Sequence, residues 1–149
     1  MNIRKAICKE AICLSLKGRE KNAIIEEMVD MLVRAGKVTD RKTALKTVLE
    51  REKKMSTGMH NGIAIPHGKT DTVECLSAAI GLIPEGVDFD AMDHKPSRIF
   101  ILTISPANRA GPHIQFLAEV SRLLNRADIR DALLAATTVD QAYELMTAS

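Results

Sequence analysis

Apolar residues recur at helical spacing in two segments of the first third of the chain. Between residues 20 and 35 they recur every three or four positions and Gly36 follows, which predicts an amphipathic helix that ends at a glycine. Asp40 is suited to cap a second helix with one apolar face, which runs toward Arg51 and stops before Gly58. The first third of the chain is therefore expected to be rich in helix.

The middle of the chain changes to short apolar runs. An alternating segment at residues 12–16 predicts a short, half-buried strand ahead of both helices. Residues 63–65, 76–83 and 98–105 are apolar runs with many β-branched side chains, bounded by glycine, proline or polar residues. Such runs are typical of strands buried on both faces, and these strands need helices above and below them.

Helical spacing returns in the last third of the chain. Pro112 stands where the first residue of a helix would, and Asp128 opens another helix. Thr138 and Gln141 form a capping-box pattern ahead of a final helix. This order, with no repeat and no linker, predicts a single three-layer α/β domain with a mixed, mostly parallel β-sheet flanked by helices on both faces.

Composition narrows the class of partner. The 149 residues carry a formal charge of +2 without a basic cluster, which disfavours nucleic acid and anionic membranes as partners. Aromatic residues make up 3% of the chain, so stacking on bases or sugar rings has few platforms. The first residues lack the apolar core of a signal peptide and no apolar run approaches membrane-spanning length, so we expect a cytoplasmic protein that does not insert into the membrane.

The three cysteines argue against two kinds of site. Cys8, Cys13 and Cys75 are odd in number and show no C-x-x-C spacing, which disfavours a disulfide framework and a thiolate metal site. We interpret them as small buried apolar residues.

His67 is the first candidate for chemistry. It follows a predicted buried strand and lies between Pro66 and Gly68, so the backbone is stiff before the ring and bare after it, and a partner can come close. A neutral imidazole is a competent nucleophile near pH 7. The alternative is a histidine that ends a strand and bonds a backbone carbonyl.

An anion site can be assembled beside this histidine from separate segments. His113 follows Pro112 at a predicted helix N-terminus, where unsatisfied N–H groups attract anions. Arg51 adds a planar guanidinium that matches phosphate oxygens. The alternatives are a histidine that caps its helix and an arginine that is only a solvated charge. Further phosphate-binding groups are hydroxyls and backbone N–H groups at Ser56, Thr57, Asn61, Gly62 and Gly68.

The segment that carries these residues resembles a known family. Residues 51–69, above all the stretch Gly-Ile-Ala-Ile-Pro-His-Gly at 62–68, are similar to the active-site signature of enzyme IIA of the bacterial phosphoenolpyruvate-dependent phosphotransferase system (PTS), type 2, the fructose, mannitol and nitrogen-regulatory class. The likeness continues through residues 87–93 and 113–124. It implies that residues 1–149 are a PTS enzyme IIA domain.

The resemblance implies a phosphotransferase with a covalent phosphohistidine intermediate. The family's phosphorylated histidine matches His67, which would accept a phosphoryl group from a histidine-containing phosphocarrier protein and pass it to a IIB domain, usually onto a cysteine. The residues that match His113 and Arg51 support the family's active site. No cofactor and no metal are implied, and the protein would act with a membrane permease without entering the membrane.

Two other functions remain open. One is a regulatory module of the nitrogen-regulatory type, which docks to a regulated protein according to its phosphorylation state. The other is a metal-dependent hydrolase with His60, His67 and His113 as ligands, although no H-E-x-x-H or H-x-H pair is present and an arginine beside the site would repel a cation.

Transfer between two proteins also predicts a surface. His67 should lie in a shallow depression that another protein's nucleophile can reach, with an apolar centre and a charged rim. Candidates are Met59, Ile63 and Phe116 for the centre and Lys69 and Arg109 for the rim.

Overall fold

The computed structural model describes residues 3–148, whose helices and strands are built around one sheet. The helices are α1 (Ile3–Ala6), α2 (Lys21–Arg34), α3 (Arg41–Lys54), α4 (Ala110–Leu124), α5 (Ala127–Leu134) and α6 (Val139–Thr147). The strands are β1 (Ile7–Cys13), β2 (Ile63–Ala64), β3 (His67–Thr70), β4 (Ser77–Val87) and β5 (Ser97–Pro106).

The five-stranded sheet is mixed. Its order is β1-β4-β5-β2, and β3 also pairs with β5. β1 runs parallel to β4, and both β2 and β3 run parallel to β5. The two longest strands, β4 and β5, pair antiparallel in the middle. The prediction of a mixed sheet is confirmed, although its central pairing is the antiparallel one.

Helices cover both faces of the sheet, so the three-layer prediction is also confirmed. Neighbouring residues of β5 point to opposite faces. Phe100 and Leu102 join a core beneath α2 and α3, whereas Ile99 and Ile101 join a core beneath the other helices. Helix residues of the first core include Ile25, Met28, Leu32, Ala44 and Val48, and those of the second include Phe116, Val120, Leu124, Leu133 and Met146.

The helix ends follow the sequence signals closely. Asp40 caps α3 by accepting a hydrogen bond from Thr43 N at 3.1 Å. Gly36, just after α2, adopts φ +76°, the left-handed conformation that favours glycine. At α6, Thr138 Oγ1 accepts from Gln141 N at 3.1 Å, as the capping box requires. The Gln141 side chain returns to Thr137 N rather than to Thr138 N.

Two predicted boundaries are wrong. The first strand covers Ile7–Cys13 rather than 12–16, because it pairs with β4 and takes apolar residues from both of its faces into the cores. Helix α4 begins two residues before Pro112, so the proline is its third residue. A proline is accepted there because N–H groups in the first turn have no partner within the helix.

Sequence patterning did not predict β3. Its four residues are His-Gly-Lys-Thr, without an apolar run, and backbone pairing with β5 makes them a strand. His67 therefore begins a strand instead of following one.

The cysteine interpretation is wrong for Cys75, which is exposed in the turn before β4. Cys8 and Cys13 are partly buried on β1, and all three thiols are free. Among residues 3–148, no helix combines the length and the apolar character needed to cross a membrane.

Candidate functional site

His67 presents one defined ring nitrogen to its surroundings. As the first residue of β3 it pairs with Thr103 of β5, and its half-buried ring lies 3.0 Å, Nδ1 to O, from the carbonyl of Ile65. Since a carbonyl oxygen can only accept, Nδ1 carries the proton. A neutral ring has one N–H, so the lone pair is on Nε2. The backbone thereby leaves Nε2 as the ring nitrogen with a free lone pair.

His113 packs against this ring. The two ring centroids are 4.9 Å apart and the planes are tilted by 44°. His113 is the fourth residue of α4 and is only 6% exposed. Its Nδ1 is buried and has no hydrogen-bond partner within the described part of the chain. The predicted convergence of the two histidines from distant segments is present.

Both imidazoles are held neutral near pH 7. Burial lowers the pKa of His113 to about 4, assisted by the charges of His67 and Lys69. Burial also lowers the pKa of His67, and the positive charges of Arg51 and Lys69 act in the same direction. The hydrogen bond to Ile65 and the negative charge of Glu52 oppose that shift. A neutral His67 keeps its lone pair available for attack.

Arg51 belongs to the same charge environment. It lies in the last turn of α3, and its Nη1 donates to the carbonyl of Met55 at 2.8 Å. Its charge reaches His67, since it contributes to the lowered pKa of that ring. Arg51 thus caps the C-terminal end of α3 and places a cation near the histidine pair.

The hydroxyls of Ser56 and Thr57 are used inside the protein. Ser56 Oγ donates to the Phe89 carbonyl at 2.8 Å and accepts from Gly58 N at 3.1 Å. Thr57 Oγ1 donates to Glu52 Oε1 at 2.6 Å, and Thr57 N donates to the same carboxylate. The structure does not direct either hydroxyl to the histidine pair.

Asn61 and Gly62 form the predicted turn, at some distance from His67. Their φ values of 64° and 74° and the bond from Ile63 N to the His60 carbonyl make a tight hairpin turn. The Gly62 carbonyl accepts from Arg98 N at 2.7 Å, whereas His67 pairs with Thr103, five residues further along β5. At about 3.3 Å per residue this is roughly 16 Å along the strand.

Gly68 serves helix packing. A Cβ atom there would lie 2.7 Å from Thr47 Cγ2 and 3.1 Å from Val48 N, on the α3 side of the sheet. Successive strand residues point to opposite faces, so His67 projects to the α4 side. The packing against α3 is thus sufficient to require a glycine at position 68, and its role in partner access stays a prediction.

The imidazoles of the hydrolase alternative do not converge. His60 is exposed at the hairpin turn, next to Asn61, while His67 and His113 form the pair. Within residues 3–148 no group of three histidine, cysteine or acidic side chains is arranged to hold a metal ion.

The exposed apolar residues differ in part from those that the sequence predicted for the partner surface. Phe116 is wholly buried, whereas Met59 and Ile63 are partly buried. The large apolar side chains that are exposed are Ile114, beside His113, and Met55 and Met92. Lys69 and Arg109 are exposed, as a charged rim requires.

Sequence reasoning missed the buried polar groups around the pair. Glu52 is 5% exposed and holds Thr57. Thr103, beside His67, and Ser105, beside Lys69, are buried with hydroxyls that have no partner among the described residues. Recognition of β3 would have pointed to both, because register neighbours in a parallel sheet share a face.

Comparisons with known proteins identify the family of the chain. The family model "Phosphoenolpyruvate-dependent sugar phosphotransferase system, EIIA 2" matches residues 6–149. The fructose-specific EIIA component of the PTS of Haloferax volcanii is 39% identical over 137 residues, which are 92% of this chain and 89% of that protein.

Solved structures share the fold. The nitrogen regulatory protein IIA-Ntr of Neisseria meningitidis superposes with a TM-score of 0.90 at 27% identity, over 97% of this chain and 99% of that one. Enzyme IIA-mannitol of Escherichia coli, in its complex with phosphorylated enzyme IIB-mannitol, gives 0.81 at 27% identity, over 94% of this chain and 96% of that one. EIIA proteins of this system are phosphotransferases that carry a phosphohistidine, and the mannitol complex shows one of them together with its IIB partner. The chain belongs to the EIIA 2 family of the phosphoenolpyruvate-dependent sugar phosphotransferase system.

Proposed function

We propose that His67 is the phosphorylated residue: its Nε2 accepts a phosphoryl group from a histidine-containing phosphocarrier protein and passes it to a IIB domain. The observation that carries the proposal is the bond from Nδ1 to the Ile65 carbonyl, which leaves Nε2 as the nucleophile of a neutral ring. Residues 1–149 act as one EIIA domain in this proposal. Because its partners are cytoplasmic phosphocarriers and IIB domains, we place it in the cytoplasm, beside a membrane permease.

The chemistry needs only positioning and charge. The Nε2 lone pair attacks phosphorus, and the bond from phosphorus to the donor nitrogen breaks with its electron pair returning to that nitrogen. The His67 ring then carries positive charge, which the Ile65 carbonyl stabilises through its bond with Nδ1–H. In the second step the nucleophile of the IIB domain attacks the same phosphorus, and Nε2 recovers its lone pair.

His113 and Arg51 support the phosphoryl group in this proposal. His113 lies against His67, and Arg51 already acts electrostatically on that ring. Pro112 has no N–H, so Ala110 and Gly111 are the residues of the first turn of α4 that can supply free N–H groups to an anion. The arriving negative charge is stabilised by groups that are in place before the reaction.

The partner surface that we propose surrounds the pair. Ile114, next to His113 in the chain, is 64% exposed, and Lys69 and Arg109 are charged residues at the margin of this surface. A small interface with an apolar centre and a charged rim suits a transient encounter. Titration with the phosphocarrier should shift amide resonances at residues 59–69 and 109–117. Shifts centred elsewhere would refute this surface even if His67 were phosphorylated.

The direct test is phosphorylation in a reconstituted system. The protein is incubated with phosphoenolpyruvate, enzyme I and candidate phosphocarriers, and intact mass is measured before and after acid treatment. We expect one phosphoryl group per chain that acid removes, because phosphohistidine is acid-labile. An acid-stable group, or a modification elsewhere in the chain, would overturn the assignment.

A regulatory output is the second candidate. It is favoured by the 0.90 TM-score with IIA-Ntr, a nitrogen regulatory protein. In that case the phosphorylated and unphosphorylated forms differ in their affinity for a regulated protein, and no phosphoryl group is passed on. Incubation of the phosphorylated protein with a fructose-type IIB domain separates the two outputs, because transfer to the IIB cysteine occurs only in the first.

A further inference from the structure

Glu52 is a buried acidic residue that the proposed phosphoryl transfer does not use. It lies in the last turn of α3, directly after Arg51, and is 5% exposed. A buried carboxylate is costly unless it is paired and hydrogen-bonded. The groups that satisfy it therefore indicate what it does in the fold.

Three donors converge on this carboxylate. Thr57 Oγ1 donates to Oε1 at 2.6 Å, and Thr57 N donates to Oε2 at 2.9 Å. Lys21 Nζ lies 3.0 Å from Oε2. Lys21 is itself held by Asp90 at 3.2 Å and lies over the ring of Phe89, 5.1 Å from its centroid. Glu52 thus ties the end of α3 to the segment after it and to α2.

The hydrogen bonds continue from Thr57 to the nucleophile. The Thr57 carbonyl accepts from Ile65 N at 3.1 Å. The carbonyl of the same Ile65 accepts from His67 Nδ1 at 3.0 Å. An unbroken series of contacts therefore connects the Glu52 carboxylate, Thr57, Ile65 and the ring of His67.

We propose that Glu52 is a positioning residue for His67, which acts through Thr57 and Ile65 to hold the Ile65 carbonyl on Nδ1 and so present Nε2. This rests on the proposed function of His67. Glu52 makes no contact with the phosphoryl group in this proposal. Its effect is to keep the ring in one tautomer and one orientation before a partner arrives.

All three groups around the carboxylate donate to it. An amide at the same place has one acceptor oxygen, and its NH₂ group can only donate. Because Thr57 N and Lys21 share Oε2, the oxygen of the Glu52→Gln amide can serve both of them, but the NH₂ group then faces Thr57 Oγ1, so that hydroxyl has to turn from donor to acceptor while the shape of the side chain is preserved. The substitution also removes a negative charge that acts on His67 against Arg51 and Lys69. A further titratable neighbour of His67 is His113, on α4.

The first experiment compares Glu52→Gln with Glu50→Gln. Glu50 is exposed on the same helix, and its ion pair with Lys46 is long, at 3.9 Å. ¹⁵N shifts of the His67 ring report its tautomer and titration, and the rate of phosphorylation by the phosphocarrier is measured separately. We expect Glu52→Gln to show mixed tautomers of His67, a lower titration midpoint and a rate reduced about 10- to 100-fold. Glu50→Gln should match the wild type in all three.

A second pair of variants guards against simple loss of folding. Thr57→Val keeps Glu52 and its ion pair with Lys21 but removes the hydroxyl link, whereas Thr57→Ser retains it. The tautomer mixture and the slower rate should appear in Thr57→Val and be largely reversed in Thr57→Ser. If Glu52→Gln and Thr57→Val fold, keep one tautomer and react at the wild-type rate, the positioning role is wrong. If the wild type itself gains no phosphoryl group on His67, the proposed function fails instead.

Discussion

His67 and His113 lie against each other, yet the structure constrains their rings in opposite ways. Nδ1 of His67 is bonded to the Ile65 carbonyl, so its tautomer is set by the backbone. Nδ1 of His113 is buried without a partner in the described residues, so no hydrogen bond at that atom sets its tautomer. One ring therefore presents a single lone pair, on Nε2, whereas no hydrogen bond at Nδ1 fixes the protonated nitrogen of the other.

The charges around the two histidines add a second difference between them. The pKa of His113 is lowered to about 4 by burial and by the charges of His67 and Lys69, so the ring is neutral near pH 7. A phosphoryl group on Nε2 of His67 would bring negative charge beside it, and a nearby opposite charge raises the pKa of an imidazole. His113 is therefore suited to gain a proton when the phosphoryl group arrives.

The largest expected effect comes from removing the His67 ring. His67→Ala should abolish phosphorylation in the reconstituted system, because no other group takes the place of Nε2. The measurement is intact mass after incubation with the phosphocarrier. His60→Ala is the control and should be labelled like the wild type, since His60 is exposed at the hairpin turn. If His67→Ala were phosphorylated as fully as the wild type, His67 would not be the phosphorylated residue and the two rings would not differ in the way described.

Removal of the His113 ring should slow the reaction without abolishing it. His113→Ala is expected to reduce the rate of phosphorylation about 10²–10³-fold, the usual effect of losing one charge-stabilising donor. Arg51→Ala should act in the same range. Rapid-quench rates would be measured alongside urea unfolding, which should show a folded protein in both cases. A wild-type rate in either variant would make that residue a structural cap.

The lowered pKa of His113 also predicts how stability depends on pH. Its pKa of about 4 in the folded protein lies below the ordinary 6.5, so between these values the unfolded chain binds more protons. The contribution of His113 to the free energy of unfolding is therefore fully present above pH 6.5. It is lost as pH falls toward 4, by up to about 3 kcal/mol. Urea unfolding at pH 7, 5.5 and 4.5 should show a shallower fall in His113→Asn than in the wild type. His60→Asn should follow the wild type, and equal slopes in all three proteins would disprove a buried neutral His113.

The helices and the central strands were accessible from sequence because their signals are local. The caps at Asp40 and Thr138 lie next to the N–H groups they bond, and the apolar runs of β4 and β5 are contiguous. β3 has no such signal, since it becomes a strand only through pairing with β5, more than 30 residues away in the chain. Its short polar sequence could not reveal that partner.

The candidate site, like the fold, was predicted from sequence only in part. His67 was singled out by its place between a proline and a glycine and His113 by its place at a predicted helix N-terminus, and the structure brings their rings together. The hydroxyls of Ser56 and Thr57 could not be assigned correctly, because their partners are decided by the packing of the segment around Phe89 and by the end of α3. The turn at Asn61 was predicted, but its distance from His67 follows from strand register.

The smallest expected effect concerns the other face of the strand that carries His67. Gly68→Ala would place a Cβ 2.7 Å from Thr47 Cγ2 and 3.1 Å from the backbone of Val48, so α3 has to shift. Overpacking of this kind costs about 1–3 kcal/mol of unfolding free energy. The matched control is Gly111→Ala in the first turn of α4, where an added Cβ meets nothing within 4 Å and helix propensity favours alanine. Urea unfolding should show a loss of stability in Gly68→Ala and none in Gly111→Ala. If Gly68→Ala were as stable as the wild type but resisted phosphorylation, access of the partner would be the reason for this glycine, and the division of β3 into a packed face and a reactive face would be wrong.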